Sequence, residues 1–454
     1  MKHNIFLISC LTLLLSGCAS DYLDIKPNQA LVVPSELSHY QAIIDAFANG
    51  MNDAPGLPVI AADEFYLLEN EIQNASTMER NTYLWNKDIF EGAQSTDWNV
   101  PYRCIFYANV AIDGLEKLSQ REKQTEQWRQ AYGGALFFRA HALFNLSQMF
   151  AAGYNVATAN NLPGLPIRKT MNINEIVGRG TLQQTYDQIL EDLNNAEKLL
   201  STVMDFENRP SKAAASALLA RIYLVMGSYD KAKESATASL GIYQKLLNYN
   251  TLNPAAVRPF PITLTKGNPE VMFVVRLQGY TAVMNSTTAG VDSILYKSYH
   301  QNDLRKSCYF TLINGQYRYK GSYQGSSTFF GGLSTSEQYL ILAECHARQG
   351  ETELALHNLN TLLRQRFVTG TFQELTADNN TILPLVLLER RKELFARGLR
   401  WSDLKRLNQN PATAVTLTKR FGAQQYTLAP NDKRYAFPIP DGEIELSGID
   451  QNPR

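Results

Sequence analysis

Ala217–Leu240 reads ALLARIYLVMGSYDKAKESATASL, and Leu340–Leu363 reads LILAECHARQGETELALHNLNTLL. The two align without a gap, every residue of the second lying 123 positions after its counterpart, as Gly350 lies after Gly227. In the first, Ala220, Tyr223, Gly227, Tyr229, Ala232 and Ala236 take a small, large, turn and small pattern. Ala343, His346, Gly350, Thr352, Ala355 and Leu359 take the same places in the second. Small residues let two helices approach closely, and a glycine admits the backbone of a tight turn between them. The unit predicted is therefore a helical hairpin. Such a hairpin buries its apolar face only by stacking on neighbours, so several are expected.

This is the pattern of a tetratricopeptide hairpin, and it sets the fold class: mainly α, a tetratricopeptide-like helical hairpin scaffold with a long loop-rich insertion containing short strands. Thr181–Leu200 and Val110–Phe150 offer further helices of suitable length. One stripe runs Ile105, Ala108, Ile112, Leu115 and Leu118; another runs Trp128, Tyr132, Ala135, Phe138, Ala142, Leu146 and Met149, ending near Gly153. Ser35 has the chemistry of an N-cap before a face of Leu37, Tyr40, Ile44 and Phe47. Residues 51–100 show no clean period and are expected to be loop with short helices, the chain turning strongly helical from Pro101. Between the two repeats, residues 245–335 carry prolines, glycines, serines and short β-type runs, Val271–Val275 (VMFVV) and Tyr317–Lys320 (YRYK). Loops on a rigid scaffold are where binding resides. This insertion is also rich in aromatics, Tyr317 among them. The expected division is 1–17 signal peptide, 18–34 tether, 35–244 N-terminal helical region, 245–335 insertion and candidate ligand region, and 336–454 C-terminal helical region and tail.

The first residues give an address. Lys2 and His3 precede an apolar run, Ile5–Leu15, too short to span a bilayer, and Leu15-Ser16-Gly17-Cys18 follows. Small residues just before Cys18 are what a lipoprotein signal peptidase requires, which predicts acylation of Cys18 and a membrane anchor made of lipid. With 43 basic and 43 acidic residues the formal charge is zero, so a nucleic-acid partner has no support. Cys104, Cys308 and Cys345 cannot all pair, and none stands in a CxxC spacing, so buried free thiols are expected and no zinc site is indicated. No HExxH, GxSxG or phosphate-cradling glycine loop is present, and no carboxylate pair stands out for glycoside hydrolysis. The chain reads as a non-enzyme with no cofactor and no metal.

One further stretch, Leu388–Leu407 (LERRKELFARGLRWSDLKRL), is the densest charged pattern in the chain. Gly398 is placed to end one helix, with Arg397 in its last turn. A second short helix follows, with Trp401, Leu404 and Leu407 on one side and Arg400, Asp403 and Arg406 on the other. So many arginines and carboxylates suit either an active site or an ion-pair network that fixes the angle between helices. The network is the expected role.

Taken in order, several blocks resemble the SusD/RagB family of nutrient-uptake lipoproteins. They are Cys18 with YLDIKP (Tyr22–Pro27), Tyr107-Ala108-Asn109, FFRAHALFNLSQMF (Phe137–Phe150), TYDQILEDLNNAEKLL (Thr185–Leu200), RPSKAAASALLARIYL (Arg209–Leu224), Asp303-Leu304-Arg305 and FPIPDGEIELSGIDQNP (Phe437–Pro453). The family's structural motif matches through Glu389, Arg390, Glu393, Leu394, Gly398, Arg400, Asp403, Leu404 and Arg406; Arg397 departs from it, where the family usually has an acid. The resemblance implies a binding protein on the cell exterior, lidding a TonB-dependent, SusC-like outer-membrane transporter and capturing oligosaccharides, or in some members peptides. It implies four hairpins packing mainly against the transporter, loops carrying the ligand site, and no required cofactor, although some members bind calcium. Sugars present flat C–H faces that stack on aromatic rings. The expected stacking residues are Trp85 and Trp98 in the early loops and Tyr280, Tyr296, Tyr309 and Tyr323 in the insertion. The alternatives are a peptide-binding member and a helical module that only assembles partners.

Overall fold

The computed structural model describes residues 34–454 apart from 266, 286 and 322. The expected signal peptide, Cys18 and nearly all of the tether lie outside the described residues. Ten helices carry the architecture: α1 (Leu37–Ile44), α2 (Thr96–Leu115), α3 (Glu126–Phe150), α4 (Leu182–Leu199), α5 (Lys212–Val225), α6 (Tyr229–Ile242), α7 (Thr335–Arg348), α8 (Thr352–Leu363), α9 (Ile382–Glu393) and α10 (Arg400–Leu407). They pack as a row in which α2 lies on α3, α3 on α4, α5 on α6, α6 on α7, and α7 on both α8 and α9.

The two quoted repeats are α5–α6 and α7–α8, and their turns are alike bond for bond. Gly227 and Gly350 take φ of +73° and +76°. The Gly227 amide donates to Leu224 O and the Ser228 amide to Tyr223 O; Gly350 donates to Ala347 O and Glu351 to His346 O. This pair of bonds is the Schellman closure of a helix, which needs a left-handed residue where glycine stands. Ala220, Ala232, Ala236, Ala343, Ala355 and Leu359 are all fully buried in the helix contacts. His346, on the same frame, keeps partial exposure and pairs with Glu351.

Three boundaries differ from the sequence reading. The N-cap of α1 falls on Glu36, one residue after Ser35, and its side chain makes no capping bond. The α2 helix begins at Thr96 and runs through Pro101; a proline in the first two turns removes one donor without breaking the helix. The α9 helix ends at Glu393, before Gly398. A left-handed turn joins it to α10, with Ala396 at φ +59° and Gly398 at φ +71°. The insertion is built from strands and also from two short helices, Ser293–Ser298 and Leu304–Tyr309. Two of its strands pair outside it, Arg276–Leu277 with Asp53–Ala54 and Gly290–Val291 with Phe65–Tyr66, while Val271–Phe273 pairs with Leu333–Ser334, the residues that lead into α7. It is thereby sewn onto residues 51–66 and the start of α7.

Candidate functional site

Phe310–Ile313 and Gln316–Tyr319 form an antiparallel hairpin in the insertion. Its two-residue turn, Asn314-Gly315, has φ of +50° and +78°, the twist that tight hairpins favour. The register sets Leu312 opposite Tyr317. Both face outward, 58% and 37% exposed. Beside them the helix Ser293–Ser298, capped by the Asp292 carboxylate accepting from the Leu295 amide at 2.8 Å, presents Tyr296. The Tyr296 and Tyr317 rings stack with centroids 3.6 Å apart and planes 17° from parallel. The Lys306 ammonium lies 4.8 Å from the Tyr296 centroid. Beneath, Phe310 meets Tyr296 edge-on at 5.6 Å and Phe395 at 5.2 Å, which ties the platform to the core. Burial, with the Tyr317 hydroxyl against it, lifts the Tyr296 phenol above its usual range, so that ring carries a neutral hydroxyl able to donate and accept.

Of the six expected stacking residues, only Tyr296 stands on this platform. Four are packed into the interior, which corrects that expectation. Trp85 is 2% exposed, its indole donating to Ala61 O at 2.9 Å with the Lys419 ammonium 4.7 Å from the ring. Trp98 crosses Phe150 edge-on at 4.9 Å and donates to the Glu443 carboxylate at 3.3 Å. Tyr309 is buried against Tyr249, hydroxyl to hydroxyl at 3.0 Å. Tyr323 is buried with its hydroxyl on Glu270 and the Arg397 guanidinium 3.6 Å over its ring. Tyr280 is half-buried, its hydroxyl 3.4 Å from Thr96 Oγ1 and also bonded to the Asp97 carboxyl. Among the described residues no ring contact joins Tyr280 to Tyr296. The missing member is Tyr317, whose place opposite Leu312 across an Asn-Gly turn was the signal for an outward-facing ring.

The charged stretch forms an interior network. Arg305 contacts Asp303 at 2.7 Å, Glu389 at 2.6 Å and Glu393 at 3.3 Å. Arg366 joins Glu393 at 2.9 Å to Glu270 at 2.7 Å. Arg397 reaches Glu393 at 3.4 Å and the hydroxyls of Ser334 and Ser336. On the other side, Asp403 takes Arg390 at 2.9 Å and Arg406 at 2.8 Å, Arg406 reaches Glu344 at 2.6 Å, and Arg221 holds Glu337 at 2.6 Å. Arg400 grips Asp63 through two bonds of 2.7 and 2.9 Å. Burial alone would raise these carboxyls, but the guanidiniums prevail: Asp63, Glu393 and Asp403 are each held down at about 2. Two neighbours go the other way. Burial pushes Glu64, whose carboxylate accepts from the Ala396 amide at 3.0 Å, up to about 7, and Asp97, which accepts from the Gly56 and Leu57 amides, also up to about 7. Each acid of the network is committed to a structural partner, and Arg390, Asp403 and Arg406 tie α9 to α10. Cys104, Cys308 and Cys345 are buried and unpaired.

Residues 21–224 match the SusD-like family described as "Starch-binding associating with outer membrane", and residues 226–454 match the SusD family. The chain is 24% identical to SusD-like protein P2 of Formosa agariphila over 439 residues, 81% of each chain. Its fold is similar to a SusD superfamily protein of Bacteroides thetaiotaomicron, with a TM-score of 0.73 at 22% identity over 92% of this chain and 100% of that one. It is also similar to surface glycan-binding protein A of Bacteroides fluxus, with a TM-score of 0.69 at 17% identity over 92% of this chain and 100% of that one. Among the described residues no helix is long and apolar enough to cross a membrane. The row of tetratricopeptide-like hairpins, the inserted strands and both sequence matches lead to one conclusion: the chain belongs to the SusD/RagB family.

Proposed function

We propose that this protein is a non-catalytic, surface-exposed outer-membrane lipoprotein, anchored through acylated Cys18, that captures oligosaccharides and delivers them to a TonB-dependent, SusC-like transporter. The observation that carries the reading is the Tyr296–Tyr317 platform: an exposed Tyr317 stacked on a half-buried Tyr296, with Leu312 opposite Tyr317 and a lysine at the edge. A rigid, solvent-facing aromatic surface with an aliphatic neighbour suits a pyranose C–H face. Two phenol hydroxyls and the Lys306 ammonium supply partners for sugar hydroxyls. The family's description as starch-binding and the glycan-binding name of the B. fluxus relative support the same ligand class. Affinity electrophoresis of the purified protein through gels cast with a broad set of polysaccharides tests the reading: retardation in at least one glycan is expected. Mobility unchanged in all of them, with peptides co-purifying by mass spectrometry, would replace it with a peptide-binding role.

A further inference from the structure

A cavity of about 40 Å³ lies where the scaffold, the insertion and the charged stretch meet. Its walls include Arg221 from α5, Arg390 from α9, Arg397 from the turn, and Asp403 from α10. Around it are the apolar side chains of Pro55, Val225, Leu277 and Trp401. All three guanidiniums are almost wholly buried. Arg390 spends its Nε on Asp403 and keeps its Nη2 3.8 Å from Glu337, while its Nη1 has no hydrogen-bond partner among the described residues. A buried guanidinium N–H without an acceptor is costly.

The acids around this cavity are each shared among several guanidiniums. Asp403 is shared between Arg390 and Arg406, and Glu344 between Arg406 and Arg348. Glu337 is held by Arg221 through two bonds, leaving Arg390 at the longer distance. Among the described residues these three acids meet Arg221, Arg390 and Arg406 together with the partly exposed Arg348, and none of their oxygens reaches Arg390 Nη1. Arg397 brings its own carboxylate, Glu393, but shares it with Arg305 and Arg366.

We propose that this cavity is a binding site for a small monovalent anion of the halide class, held between Arg221, Arg390 and Arg397. The size excludes sugar acids and leaves room for a monatomic ion or a few waters. Arginine is the residue suited to such a site, because its guanidinium stays charged when buried and presents several donors in one plane. The anion ties Arg221 of α5, Arg390 of α9 and Arg397 of the turn into α10 to one another, so it acts on the rigidity of the scaffold rather than on the tyrosine platform.

Crystals of the full chain soaked in sodium bromide, with diffraction recorded at the bromine edge, test this directly. The expected result is an anomalous peak inside the cavity within contact distance of Arg221 and Arg390. In solution, the thermal midpoint is expected to be about 2 °C or more higher in sodium chloride or bromide than in sodium gluconate of equal ionic strength. Val225→Ile narrows the cavity while keeping every arginine, and it should fold and lose that halide dependence. A cavity filled by water alone, with equal midpoints in chloride and gluconate, would overturn the proposal. So would a halide shift that Val225→Ile leaves intact.

Discussion

Replacing Tyr317 with alanine removes an outward ring that supports no core contact beyond Tyr296. The expected cost to glycan affinity is about 1.4 kcal/mol, roughly tenfold in Kd, with the melting temperature unchanged; calorimetric titration beside a thermal scan checks both. Glu64 makes a different prediction. Its folded pKa of about 7 exceeds the ordinary carboxylate value, so the folded chain binds a proton that the unfolded chain has released. Its contribution to stability therefore declines as pH rises from the normal carboxylate range to about 7, and is flat above. Glu64→Gln keeps the acceptor for the Ala396 amide and removes the charge. In denaturant titrations the variant is expected to gain about 2 kcal/mol on the wild type at pH 8 relative to pH 5. The left-handed turn adds a residue-scale case. A Cβ on Gly398 would lie 3.0 Å from Leu277 Cδ1 at a φ of +71°, so Gly398→Val combines strain with crowding, at about 3 kcal/mol.

At the scale of the element, the hairpins were legible because their requirements are local. Spacing of small residues and a glycine at each turn follow from helix geometry, and Gly227 and Gly350 take up those turns. Nothing lies within 4 Å of a Cβ at either position, so alanine there meets backbone strain alone. Gly227→Ala and Gly350→Ala are expected to cost about 1 kcal/mol each, and the same amount, in matched chemical denaturation. The ligand platform was less legible because exposure is not local. Trp85 and Tyr323 sit in irregular segments, Trp98 in the first turn of α2 and Tyr309 at the end of the helix Leu304–Tyr309, yet all four pack into the interior and each polar ring atom finds a partner. Only the hairpin register separates Tyr317 from them, and register depends on a strand pairing that composition does not announce.

At the scale of the whole molecule, the Leu388–Leu407 stretch clasps the scaffold to the early loops through Arg400 and Asp63. Asp63 titrates at about 2 in the folded chain, below its unfolded value, so the stability it contributes is present above the normal carboxylate range and is lost as pH falls toward 2. Arg400→Ala is expected to cost about 3 kcal/mol at pH 6, the two proteins converging near pH 2, while glycan affinity of the folded variant stays at the wild-type value. We propose a division in which the clasp serves stability and the tyrosine platform serves binding. It is tested most directly by calorimetric titration of the wild type, Arg400→Ala and the Tyr296→Ala/Tyr317→Ala double variant with the glycan that retards the wild type. Loss of binding in a double variant that still unfolds cooperatively, with binding retained in Arg400→Ala, is the result predicted. Full affinity in the double variant, or lost affinity in an Arg400→Ala protein that melts like the wild type, would contradict it.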